Sequence, residues 1–233
     1  MTATPSRAHT VAEATASGAS TGRRIMAVTA ALGPLLFAAA IALIPYGTAD
    51  SNKEMINQIA DHRSLTELTV WGWVLGTIAL VAGTVVVGLL AMRYSPKLGL
   101  WGMLLLGTGV LAISVTPSLD VIALGGLHKG VSQSVLAKIG DGTFELPVVG
   151  VPTLYFVFAH VVGAILLGVA LLRGRVIAPW AAWVLILSMP LNVVGYAGGI
   201  MPVTVLSFVM MGIAFGVAGL VIIRQGIGWV RTA

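Results

Sequence analysis

Six stretches of this chain run 21 to 24 residues without a single Asp, Glu, Lys or Arg: Ile25–Tyr46, Thr69–Met92, Leu98–Leu119, Val149–Leu172, Val176–Gly199 and Val203–Ile223. About 20 apolar residues cross the hydrocarbon core of a bilayer as a helix, and in lipid a helix is the form that satisfies every backbone group within one segment. The pattern therefore predicts an all-α membrane protein, a bundle of six transmembrane helices. Its domain would span 25–225, with a disordered tail over 1–24 and a short tail over 226–233. A cleaved signal peptide is the competing reading of the first run. Its apolar core of 22 residues exceeds the roughly 7–15 of a signal h-region.

Composition agrees. Charged residues are 9% of 233, where a soluble domain carries about a quarter, and the mean hydropathy is +1.00. The net charge of +5 does not imply nucleic acid, because the basic residues punctuate the ends of apolar runs instead of forming a patch. With no cysteine, thiolate chemistry and Cys-bound metals are excluded.

Basic residues set the expected orientation. With the N-terminus in the cytoplasm, Arg7, Arg23, Arg24, Arg93, Lys97, Arg173, Arg175, Arg224 and Arg231 lie inside. Only Lys53, Arg63, Lys129 and Lys138 lie outside, and cytoplasmic loops are the ones enriched in Lys and Arg. The expectation is a multi-pass protein of the cell (inner) membrane with both termini cytoplasmic.

The chain also repeats itself at a spacing of about 80 residues. Val81-Ala82-Gly83, Gly88 and Arg93 recur as Val161-Val162-Gly163, Gly168 and Arg173, and Gly219 with Arg224 repeats the ending. The repeats point the same way across the membrane, which predicts three parallel-repeated hairpins. Two outer segments carry helical apolar stripes: Met55, Ile56, Ile59 and Ala60, then Val131, Val135, Leu136 and Ile139. They would lie in the interface or cap the bundle, and Val121–Leu127 reads as a re-entrant stretch. Glycine spacings such as Gly72-x3-Gly76 and Gly212-x3-Gly216 read as packing devices that also offer faces to a second copy or a partner subunit.

No catalytic motif emerges, so catalytic residues stay unassigned. His160 is the only group in any span that titrates near neutral pH, and polar intramembrane residues mark ligand sites or pathways. Its repeat counterpart is Leu80. Pro190 breaks span 5 beside Ser188 and Asn192, freeing the Ile186 carbonyl. Asp61, Asp120, His128 and Glu145 complete the candidate binding set at the outer face. Nothing has metal-ligand spacing, and one intramembrane His cannot supply a bis-His haem, so neither metal nor cofactor is expected. The leading reading is a bundle that binds or transports a lipid or small apolar molecule, with an outward cavity between spans 3, 4 and 5. A lipid-directed enzyme at the outer interface and a non-catalytic subunit are the alternatives.

Orientation has a direct test. Cysteines placed at Asp61 and Lys138 are expected to react with an impermeant thiol reagent applied outside intact cells, and ones at Lys97 and Arg175 are not. Labelling of the second pair alone reverses the topology.

Overall fold

A computed structural model describes residues 7–226 except 48, with side chains from Ser20 onward. Of the expected tails, 1–24 and 226–233, residues 1–6 and 227–233 lie outside the described residues. Nine helices appear among those described. Six are long and apolar enough to cross a membrane: α1 (Arg7–Leu43), α3 (Arg63–Met92), α4 (Pro96–Ser114), α7 (Pro147–Arg173), α8 (Pro179–Ala197) and α9 (Met201–Gln225). The other three are short: α2 (Asn52–Asp61), α5 (Leu119–His128) and α6 (Gln133–Phe144).

Boundaries differ from the sequence reading at several helix ends. The backbone of α1 is already helical from Arg7, within the expected tail, and its apolar stretch ends at Leu43, leaving Tyr46 beyond the span. The third span stops at Ser114, because Pro117 lacks the N–H to continue and disfavours helix at the residue before it. Val121–Leu127, expected as a re-entrant stretch, is helical, and the apolar stretch that starts at Pro96 continues through it to His128. The segment belongs to α5, which packs with α2 and α6.

The long helices pair as three hairpins, α1–α3, α4–α7 and α8–α9. Each hairpin also packs on the next, α3 on α4, α7 on α8 and α9 back on α1, so the ring closes. Glycines fix the register of both contacts. Within hairpins, a methyl on Gly83 would stand 2.9 Å from Cα of Ala30, and one on Gly163 would stand 2.5 Å from N of Leu106. Between hairpins, Gly88 meets Met103, Gly168 meets Ile186 and Ala182, and Gly219 meets Ala27. The same repeat position therefore makes the same kind of contact all round the ring, an approximate threefold arrangement of parallel hairpins. Gly72 and Gly76 meet Ala40 and Phe37, and Gly212 meets Leu35, so these glycines pack within the bundle.

The three short helices gather at the end opposite the termini and bury a second apolar core of Ile56, Ile59, Leu119, Ala123, Leu127, Leu136 and Ala137. Ser51 caps α2, its hydroxyl accepting from the Glu54 backbone N–H at 3.2 Å. In the α2 stripe Ile56 and Ile59 are buried, with Met55 and Ala60 half-buried against the same core. In α6 the buried face is Leu136, Ala137 and Gly140, while Val135 and Ile139 are exposed. Of the spans, this cap touches α3 and α7; α8 and α9 are joined by a tight turn, Gly199 at φ 64°, and carry no cap helix.

Close approach predicts a graded cost. Gly83→Leu and Gly163→Leu are expected to lower stability in detergent by about 1–3 kcal/mol through overpacking against backbone. Gly107→Leu, with no neighbour within 4 Å, is expected to leave the melting temperature unchanged. Equal losses at all three positions contradict this register.

Candidate functional site

The bundle interior is mostly apolar: threonines Thr66, Thr69 and Thr84 are buried on α3, and the largest group of buried polar side chains lies around α8. His160 sits midway along α7 and is 2% exposed. Its Nδ1 lies 2.6 Å from the carbonyl oxygen of Phe156, one turn back on the same helix. A carbonyl only accepts, so Nδ1 carries the proton and donates. The ring stacks on Phe156 at 4.3 Å between centroids and 15° between planes. The Asn192 side chain of α8 lies within hydrogen-bonding reach of the imidazole but forms no aligned bond with it. Nε2 is thus buried with no hydrogen-bond partner among the described residues.

Asn192 itself is held. Its Nδ2 donates to Ser207 Oγ of α9 at 3.0 Å, and Ser207 donates onward to the Thr204 carbonyl at 2.6 Å. Ser188, one turn below Asn192 on α8, donates to the Leu185 carbonyl at 2.7 Å. Thr204 Oγ1 is likewise buried without a partner, pressed against Gly195; Thr84 Oγ1 and Gln58 Oε1 are the other such atoms among the described residues. Three helices thus bring His160, Ser188, Asn192, Thr204 and Ser207 into one buried polar seam. Its location follows the packing: α3 touches both α7 and α9, while α7 and α9 do not touch each other, and α8 lies between them.

The repeat shows how unusual this sector is. The counterpart of His160 is Leu80 in the first hairpin and, set by the shared Gly-x4-Arg ending, Met211 in the third. Both are buried apolar side chains. An apolar residue evidently fits the position, yet the second hairpin carries an imidazole there.

A second polar feature lies under the cap. Asp120, in the first turn of α5, is 8% exposed. The Tyr46 hydroxyl donates to its Oδ2 at 2.9 Å and the Val121 N–H to its Oδ1 at 3.0 Å. The helix N-terminus adds favourable polarity for the carboxylate. Burial and then the nearby Asp120 carboxylate push the Tyr46 phenol above its usual range, keeping it a donor. Beside this pair a groove of about 400 Å³ is lined by Tyr46, Ala49, Asp50, Ser51, Asn52, Met55 and Asp141. Asn52 closes one wall by donating to Asp141 at 2.7 Å.

The remaining candidates do not join these groups. Asp61, His128 and Glu145 are exposed at the C-terminal ends of α2, α5 and α6 respectively. No set of three or more His, Asp or Glu among the described residues is placed to hold a metal ion. Sequence reasoning missed Tyr46, Asn52, Thr204 and Ser207. A signal for Ser207 was present, since the Gly219–Arg224 ending aligns it with Phe156, the residue one turn from His160.

Six apolar helices make the chain a polytopic membrane protein. Comparison with protein-family models, curated proteins and solved structures finds no match.

Tyr46→Phe leaves Asp120 buried with one fewer donor. Loss of a hydrogen bond to a charged group predicts a cap weakened by about 1.5–3 kcal/mol. Faster backbone hydrogen exchange in α5 and α2, with α7 to α9 unaffected, is the expected readout.

Proposed function

We propose that this bundle binds a small lipid-like molecule at the seam between α7, α8 and α9, with the cap facing outside the cell and both termini in the cytoplasm. The observation that carries the reading is the unpartnered Nε2 of His160. A buried polar atom left without a partner costs about 1–3 kcal/mol, and Leu80 and Met211 indicate that this cost is avoidable at the equivalent positions. A ligand that hydrogen-bonds Nε2 accounts for its retention.

The chemistry of the ligand follows from the ring. With Nδ1–H committed to Phe156, a neutral imidazole presents a lone pair at Nε2, so the ligand supplies a donor. An imidazolium here would be a buried charge, and its neighbours, the Phe156 carbonyl and Asn192, include no carboxylate to pair with it. A hydroxyl on an apolar body suits a seam set in a core of Met189, Phe208 and Met211. The seam is closed in the form described here, so entry requires α8 to separate from α7. Pro190, inside α8, removes a backbone bond at that height and lowers resistance to bending. The uncapped ends of α8 and α9 provide the approach from the cap side. A lipid-directed enzyme at the outer face has less support, because Asp61, Asp120 and Glu145 do not converge.

His160→Leu separates binding from packing. The variant is expected to fold with a melting temperature equal to or above the parent's, because it removes the unpaired Nε2. It is also expected to lose a hydroxylated lipid from the organic extract of the purified protein, read by mass spectrometry. Identical extracts from parent and variant sink the proposal and leave the non-catalytic subunit.

A further inference from the structure

The end of the bundle that carries the termini has a charge pattern independent of the seam. Each second helix of a hairpin ends in Gly-x4-Arg, and its glycine packs on the first helix of the next hairpin. That contact puts Arg93, Arg173 and Arg224 at the three junctions between hairpins. Each arginine has cationic company from the neighbouring strand of chain: Lys97 at the first junction, Arg175 at the second, Arg23 and Arg24 at the third. Arg23 is the best placed, its guanidinium lying against Gly226, two residues from Arg224. All of these cations are exposed except Arg23, which is half-buried. Every carboxylate among the described side chains lies at the cap end, so none of them neutralises this rim.

Aromatic side chains accompany the first two junctions. Arg93 stacks over Tyr94 at 5.5 Å, and Tyr94 packs against Gly174 in the next interhelix turn, bridging the first and second junctions. Trp101 stands 58% exposed about one turn further into α4, and Trp180 and Trp183 are 57% and 52% exposed at the start of α8. Exposed indoles just inside a ring of cations are the arrangement that suits the headgroup layer, with rings against the upper acyl chains and charges against phosphates. At the first junction a groove of about 370 Å³ is lined by Ser95, Pro96, Lys97 and Leu98.

We infer that the three junctions are anionic phospholipid sites, each holding one headgroup phosphate between its arginine and the adjacent cation. A basic side chain near an anionic leaflet gains about 1 kcal/mol. Two or three at one junction therefore favour an anionic over a zwitterionic headgroup by roughly tenfold or more. The inference stands apart from the His160 reading, since it rests on other residues at the other end of the spans.

Native mass spectrometry of the full chain tests it. Purified protein in mild detergent is offered phosphatidylglycerol and phosphatidylcholine in equal amounts. The expected result is selective retention of up to three phosphatidylglycerol molecules. Arg93→Gln, Arg173→Gln and Arg224→Gln should each remove one, while Arg→Lys at the same positions keeps them. Lys129→Gln and Lys138→Gln, at the cap end, should change nothing. Equal retention of both lipids overturns the inference, as does a Gln variant that keeps all three adducts or cap variants that lose them.

Discussion

Helices in lipid gain nothing by hiding apolar surface from water, so what holds them together is close packing of backbone on backbone. This chain achieves that with glycine at repeated positions. Gly83 on Ala30 and Gly163 on Leu106 bring the two helices of a hairpin together; Gly88, Gly168 and Gly219 bring each hairpin onto the next. Because the contact positions repeat, every hairpin accepts the same neighbour, and three of them close into a ring. The arginine at the end of each Gly-x4-Arg unit is carried along by that geometry. A packing rule thereby also distributes charge evenly around one rim.

Much of this was readable from the chain. The uncharged runs give the six spans, and the 80-residue recurrence gives the hairpins, because both depend on one-dimensional constraints: helix length against bilayer thickness, and copying of a unit. What failed depended on three dimensions. Val135 and Ile139 look like part of a buried stripe, but the face of α6 that turns inward is set by where α2 and α5 sit, and it selects Ala137 and Gly140. Which helix each glycine meets was likewise not readable, because it depends on how the hairpins close into a ring.

The candidate site was half readable for the same reason. His160 and Asn192 stood out because polar residues in a span are rare. Ser207 did not, since a lone serine in a membrane helix usually bonds its own backbone, as this one also does through the Thr204 carbonyl. Its acceptance of a bond from Asn192 depends on α8 and α9 facing each other at that level. The carboxylates misled by number. Asp61, Asp120 and Glu145 look like a set in sequence, but they occupy ends of different cap helices, and only Asp120 is drawn inward by Tyr46.

Two departures from threefold regularity fall in the same sector, and their coincidence bears on function. The third hairpin has a tight turn where the other two have cap helices, and the polar seam lies where that hairpin meets α7. The sector without a cap helix is the one that holds His160, Ser188, Asn192, Thr204 and Ser207, while the buried polar side chains of the first hairpin are the threonines Thr66, Thr69 and Thr84. Extending the cap over α8 and α9 would add apolar burial of the kind that Ile56 and Leu136 provide elsewhere. The cap-side end of α9 is instead met by the chain that follows α1, Gly47 against Met201, so the path to Thr204, Asn192 and Ser207 that the proposed site needs would open where Pro190 lets α8 bend.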